Sequence, residues 1–179
     1  MEIDAKLQKV ANKTAKFIGQ LLELPEPEKY IVKLVYENDV EGSVESLEGN
    51  VVLTYRVSDE PLSMFFVIAH ELRHLYQFLY QREKYSGYSL EELHNFNNYN
   101  LQPAEIDANA FAAFLCETVL GVGCPPLEDT SEEVIKKIQD RTIEIFHEYY
   151  TTDDFDYFKR RIQNNQLFEI YRQSAKKYR

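Results

Sequence analysis

Two histidines four residues apart, with a glutamate directly after the first, are the residues of this chain best suited to chemistry. His70, Glu71 and His74 lie in the segment HELRH, which follows the apolar run FFVIA. Residues four apart lie on one face of a helix, so the two imidazoles are side by side. Such a pair fits two positions of a tetrahedral zinc site, and the glutamate can accept a proton from a water there as a general base. The spacing therefore predicts a catalytic zinc site on a helix.

A catalytic zinc site usually takes a third protein ligand, and three residues are candidates. Glu105 is the preferred one because small alanines share its helical face and would let its helix approach the motif helix closely. Asp107 points to a different face and is shorter, and His94 lies in a segment that reads as a loop; both remain alternatives. Asn109, one turn after Glu105, is predicted to hydrogen-bond a ligand from outside the coordination sphere.

Attack of such a water on a carbonyl group also requires a hydrogen-bond donor for the oxygen that gains negative charge. The polar and aromatic stretch between the two predicted site helices contains four side chains that could serve. His94 is the first choice among them, and each is individually more common as a packing or surface group. The four are Tyr85, Tyr88, His94 and Tyr99.

A small sheet and several helices must position these residues. Apolar residues at helical spacing predict an amphipathic helix at 4–22. Runs of β-branched and aromatic residues predict strands at 30–36 and 51–57, and 43–47 could pair with the second as a hairpin arm.

Capping and proline signals locate the helices that follow. The segment 58–61 begins the motif helix, which is predicted to end near Gln81 and to direct a stripe of four apolar residues at the core. A short helix is predicted at 89–95, and Pro103 opens a helix that ends near Leu120. Ser131 and Thr152 are predicted to cap helices of the C-terminal region. The apolar stripe of the motif helix consists of Ile68, Leu72, Leu75 and Leu79.

Composition and charge narrow the classes of function. The formal net charge is −10, which disfavours nucleic-acid binding because such binding relies on Lys and Arg neutralising phosphates. The longest apolar run near the middle is far shorter than the roughly 20 residues that cross a bilayer. The start of the chain does not resemble a secretion signal, and the two cysteines do not make a disulfide framework, so we expect a cytoplasmic protein.

The two motifs together resemble the gluzincin branch of zincin peptidases. Glu105 opens the segment EIDANAFAA, which is similar to the Glu-x-Glu-Ala-Asn-x-Phe-Ala signature of the ImmA/IrrE family, whose members are cytoplasmic bacterial metallopeptidases often borne on phages and mobile elements. The metzincin pattern is excluded because Gln77 and Tyr80 stand where its Gly and third His would be. Arg73 differs from the family, which commonly has Gly before the second histidine. The resemblance implies a zincin fold and cleavage of protein substrates, typically transcriptional repressors.

The expected fold class is α+β and zincin-like, with a sheet of two to four strands, an active-site helix and a helical C-terminal region. We expect one domain over residues 1–179, divided into an N-terminal helix and sheet (1–60), metal-site helices (61–121) and a helical region (127–179). The expected function is zinc-dependent hydrolysis of a cytoplasmic protein, with one zinc per chain. The alternative is a catalytically silent, zinc-bearing interaction module.

Overall fold

The computed structural model describes residues 5–36, 42–47, 50–57, 61–89, 95–123 and 130–176. Within them the chain is α+β, as predicted, with a small mixed sheet and a larger helical part. None of the described helices is both long and apolar enough to cross a membrane. The helices are α1 (Ala5–Leu21), α2 (Pro61–Tyr80), α3 (Phe96–Asn100), α4 (Pro103–Leu115), α5 (Glu132–Tyr149), α6 (Asp153–Gln163) and α7 (Glu169–Ala175), and the strands are β1 (Tyr30–Val35), β2 (Gly42–Leu47) and β3 (Asn50–Arg56).

The three strands form one sheet in the order β1–β3–β2. β1 runs parallel to β3, pairing Tyr30 with Val51, and β2 runs antiparallel to β3, pairing Val44 with Leu53. The predicted hairpin is therefore confirmed. Alternate side chains of β1 are buried while the exposed positions between them include Ile31, so one face of the sheet covers the core and the other meets solvent.

The first and last helices share one core with the motif helix. Tyr171 of α7 is fully buried, donates to or accepts from Thr14 of α1 at 2.9 Å, and packs edge-on against Phe65 of α2 with 5.2 Å between ring centroids. Four apolar or aromatic residues of the C-terminal helices are buried in this core. They are Phe155, Phe158, Ile162 and Tyr171.

Most helix boundaries follow the sequence signals. The hydroxyl of Ser131 accepts the backbone N–H of Val134, and that of Thr152 accepts the N–H of Phe155, as predicted for N-caps. The predicted cap at 58–60 lies outside the described residues. A π-helical turn (Cys116–Leu120) continues α4 to the predicted end, where Gly121 takes a left-handed φ of 70°.

One prediction about helices lies largely outside the described residues, and another is wrong in part. The short helix expected at 89–95 falls mainly on residues 90–94, which the structure does not describe; α3 follows it, and the side chain of Asn95 accepts the N–H of Asn98 at its start. The α2 stripe is buried at Ile68 and Leu72, but Leu75 is only half-buried and Leu79 is 41 % exposed. The second half of α2 leaves the core and instead forms a wall of a cleft.

A buried ion cluster joins α2, α4 and α5. Arg73, only 1 % exposed, donates through Nε to Asp107 Oδ2 at 2.7 Å, and Arg141 of α5 donates through Nε to Asp107 Oδ1 at 2.7 Å. Arg73 also donates to the Tyr149 hydroxyl at 3.2 Å and stacks on the Phe111 ring. The helices that carry the site are thus fixed to one another by charge as well as by apolar packing.

Replacing Asp107 by Ala should destabilise the fold by about 3–5 kcal/mol, because it leaves the Arg73 guanidinium buried without its counter-charge. Urea unfolding followed by circular dichroism measures this loss. The matched control is Glu133→Ala, which removes the exposed ion pair with Lys137 and should change stability by less than about 1 kcal/mol. Equal effects of the two substitutions would contradict a structural role for the cluster.

Candidate metal centre

Three side chains from two helices converge on one point. His70 and His74 of α2 lie with their Nε2 atoms 3.0 Å apart, and Glu105 of α4 places Oε2 3.3 Å from the first and Oε1 3.2 Å from the second. One ligand atom from each of the three residues lies within 4.8 Å of the other two. Two imidazole nitrogens and a carboxylate are the donor set that zinc accepts in three-ligand catalytic sites.

The small residues of α4 allow this convergence. Ala104 and Ala108 are buried on the same helix as Glu105, and Pro103 starts that helix two residues before the carboxylate. Short side chains let two helix axes approach closely, so a glutamate on one helix reaches imidazoles on the other.

Both imidazoles are oriented by amide side chains at their Nδ1 atoms. His70 Nδ1 lies 2.9 Å from Oδ1 of Asn109, and His74 Nδ1 lies 2.9 Å from Oε1 of Gln77. A nitrogen that faces an amide oxygen carries the hydrogen, which leaves Nε2 of each neutral ring as the acceptor atom. Asn109 therefore lies at hydrogen-bond distance from one histidine of the motif, as the sequence predicted.

The centre contains more hydrogen-bond acceptors than donors, and a bound cation would satisfy the acceptors that have no donor. Glu105 is 2 % exposed, and its Oε1 has no hydrogen-bond partner among the described residues. A buried carboxylate oxygen without a partner is costly unless a positive charge lies beside it. The residues present therefore fit a metal ion such as zinc, with His70, His74 and Glu105 as the ligands.

Without a metal ion, a proton on His70 compensates the buried negative charge of Glu105. Burial lowers the pKa of His70, but hydrogen bonding to Glu105 and the charges of Glu105 and Glu71 outweigh it and raise the pKa to about 9. For Glu105, burial raises the pKa of the carboxyl group, but the two imidazoles outweigh this effect. The pKa of Glu105 therefore lies well below the usual range. A metal ion that binds here must displace the proton, so binding is linked to proton release.

Glu71, the predicted general base, lines the same cleft as the two histidines. It is half-buried next to the ligands, and burial, the largest effect, raises its pKa against the opposing charges of His70 and His74. A raised pKa brings a carboxylate closer to the neutral range in which a base works best. Gly42 lies beside it: a Cβ there would come within 3.1 Å of Glu71 Oε1 and closer still to Val67, so glycine allows β2 to approach α2 at this point.

The centre lies in a cleft with a volume of about 740 Å³, which is in the range typical of ligand sites. The side chains of His70 and His74 remain 15 % and 16 % exposed, so one side of the centre is accessible from the cleft. The walls are mainly apolar or aromatic, and Arg82 is the one Arg or Lys side chain among the described lining residues. Val44, Leu75, Phe78, Tyr85, Tyr88 and Tyr99 contribute to these walls.

The structure describes three of the four predicted oxyanion donors, and these three have different neighbours. Tyr88 and Tyr99 share a hydrogen bond of 2.7 Å between their hydroxyls, and burial together with the charge of Glu105 raises the pKa of both phenols, which keeps them protonated. Burial raises the pKa of Tyr85, and the charge of Asp107, which is not one of the three converging residues, adds to this shift. His94, the first choice from the sequence, lies outside the described residues.

Asp107, the second candidate for third ligand, is not in the centre. It faces Arg73 and Arg141, as described above, and those guanidinium groups overcome the effect of burial and hold its pKa well below the usual range. Sequence reasoning also missed Gln77, which contacts His74. Its spacing of three residues from His74 on the same helix was the available signal.

No protein-family model, no curated protein and no solved structure shows a significant match to the chain. The interpretation of the site therefore depends on the geometry of its own residues.

We expect purified protein to bind one zinc ion per chain with release of protons, and Glu105→Ala to weaken binding by at least about tenfold because it removes one of three ligands. Elemental analysis gives the stoichiometry. Titration calorimetry in buffers with different ionisation enthalpies gives the affinity and the number of protons.

His147→Ala is the control for this measurement. His147 is an exposed histidine on α5 and should not affect zinc binding. Binding that is unchanged in Glu105→Ala, or equally weakened in His147→Ala, would remove the three-residue centre from consideration.

Proposed function

We propose that the chain is a zinc-dependent metallopeptidase that hydrolyses peptide bonds of a protein substrate. The observation that supports this most directly is the convergence of His70, His74 and Glu105, with Glu71 adjacent and a cleft open on one side. The ligands, a base and access for a substrate are thereby located together. A structural zinc site, by contrast, is usually closed by four protein ligands.

Zinc held by these ligands would polarise the scissile carbonyl and lower the pKa of a water molecule towards neutrality. Glu71 would accept a proton from the attacking water and donate a proton to the leaving amine. Burial raises the pKa of Glu71, so its carboxylate takes up a proton more readily than an exposed carboxylate does. His70 and His74 hold their hydrogens at Nδ1 throughout, through Asn109 and Gln77.

The tyrosine pair provides the donor that hydrolysis requires. Tyr88 lies with its ring 5.6 Å from that of His74, and its hydroxyl is linked to that of Tyr99. A protonated phenol on this side of the centre can donate to the carbonyl oxygen as it becomes negative. The link between the hydroxyls lets Tyr99 orient Tyr88 for this purpose.

The cleft suits an extended peptide. β2 forms one edge of the described sheet, and its residues Gly42, Ser43 and Val44 line the cleft beside Glu71. The backbone groups of an edge strand can pair with an added strand, while pockets beside the edge accept alternate side chains. Phe78, 61 % exposed at the rim, provides an apolar surface for one of them.

The resemblance to the ImmA/IrrE family is part of the same proposal. If it holds, the fold is zincin-like, the protein acts in the cytoplasm, and the substrate is a protein such as a transcriptional repressor. The alternative, a zinc-bearing interaction module without catalysis, is less well supported, because Glu71 lines the cleft beside the three converging side chains and an interaction module needs no such carboxylate.

Glu71→Gln should lower the rate of peptide hydrolysis by about 10²–10⁴-fold, because glutamine cannot accept the proton. The substitution keeps the size of the side chain and leaves the three ligands in place, so zinc content should not change. Cleavage of an unfolded protein substrate, followed by mass spectrometry, measures the rate.

The paired readouts separate the two candidate functions. Retained zinc with loss of cleavage supports the peptidase. Cleavage at an unchanged rate in Glu71→Gln would contradict it.

Tyr88→Phe should lower kcat by about a hundredfold with little change in KM, because the lost hydroxyl acts on charge that develops only in the transition state. The same cleavage assay over a range of substrate concentrations measures both. The control is Tyr80→Phe on α2, which removes a hydroxyl that donates to the backbone oxygen of Glu23 outside the cleft. A pure KM effect in Tyr88→Phe would assign the residue to substrate binding instead.

A further inference from the structure

The amide of Gln77 can take only one orientation. Its Nε2 lies 2.9 Å from Oδ2 of Asp107 and 3.0 Å from the backbone oxygen of Ala104. Both partners are acceptors: a carbonyl oxygen never donates, and an ionised carboxylate has no hydrogen to give. An amide turned over would place its own oxygen against both, and Gln77 is only 3 % exposed, so water could not compensate.

This orientation determines which nitrogen of His74 carries the hydrogen. Gln77 Oε1 is left facing His74 Nδ1 at 2.9 Å, and two acceptors cannot face each other at that distance. The ring must therefore hold its hydrogen at Nδ1. Its Nε2, which points at the metal centre, is then the atom with the free electron pair.

Asp107 is itself fixed from both sides. Its two oxygens accept from Arg73 on α2 and Arg141 on α5, with distances of 2.7 Å to the Nε atom of each. A carboxylate between two guanidinium groups stays ionised and presents only acceptors to Gln77. The orientation of Gln77 thus depends on a charge cluster that extends to the C-terminal helical region.

We propose that Gln77 is a positioning residue that selects the metal-binding tautomer of His74, and that Asp107, held by Arg73 and Arg141, positions Gln77 in turn. Because it concerns the centre assigned above, the inference rests on the proposed function. Gln77, Asp107, Arg73 and Arg141 touch no ligand atom, and their contacts account for the arginine buried in the motif helix between the two histidines.

The tautomer is measurable in metal-free protein, independently of catalysis. Two-bond ¹H–¹⁵N NMR correlations in alkaline buffer distinguish hydrogen at Nδ1 from hydrogen at Nε2. We expect Nδ1–H for His74 in the unsubstituted chain. Observation of Nε2–H there would overturn the inference without any variant.

Gln77→Met tests the role of the amide, since methionine has nearly the same length and shape but no acceptor. His74 should shift towards Nε2–H, the form that a histidine prefers in water, and zinc affinity should fall about 10–100-fold. The matched control is Gln8→Met: Gln8 also donates through Nε2 to a backbone oxygen, that of Val32, but lies far from the centre. The control should leave both the tautomer and zinc affinity unchanged.

Gln77→Glu separates positioning from stability. Its carboxylate still accepts from His74 Nδ1 but faces Asp107 with a second negative charge, so the Nδ1–H tautomer should persist while resistance to urea falls. If Gln77→Met left the tautomer unchanged, or if Gln77→Glu lost it, the role of Gln77 would be purely structural and the proposal wrong.

Asp107→Asn tests whether Asp107 orients the amide of Gln77. The new amide can present either a donor or an acceptor to Gln77, so we expect a mixture of His74 tautomers. A single Nδ1–H form would show that the Ala104 carbonyl alone orients Gln77. These readouts need neither substrate nor turnover, so failure of the peptidase assay and failure of this inference are distinguishable.

Discussion

Glu105 is a carboxylate buried between two helices, and the arrangement of the site depends on how its charge is compensated. An isolated ionised carboxylate is costly to bury, whereas one that faces cationic groups is tolerated. The two imidazoles supply that compensation, with a proton or with a metal ion that replaces it. The helix pairing that brings these three side chains together therefore also creates a binding preference for positive charge.

A second carboxylate, two residues further along α4, is compensated separately. Asp107 faces two arginines, and Glu105 faces two histidines. The charges of Arg73 and Arg141 are thereby directed to Asp107, so these two arginines do not compete with a cation for Glu105. Gln77 contacts both groups, since it touches His74 on one side and Asp107 on the other.

The cleft adds a strand edge and tyrosine hydroxyls to the three converging side chains. A glycine at the start of β2 lets a strand edge lie next to Glu71, and tyrosines on the opposite side keep protonated hydroxyls near the carboxylate. Polar groups with different tasks are thus held around one centre by elements that are distant in sequence. In a peptidase they would act on one carbonyl from different directions.

Periodicity and capping chemistry are local, and they determined much of this protein from the sequence alone. The spacing of His70 and His74 places them on one helical face regardless of the rest of the chain, and the strand pattern predicted the β2–β3 hairpin. Other features are set only by which elements meet. The choice of Glu105 over Asp107 depends on the rotation of α4 against α2, and the exposure of Leu79 depends on where α2 leaves the core. The role of Gln77 required Asp107 and Arg141 to be known as neighbours, because an amide has no preferred direction until both of its sides have partners.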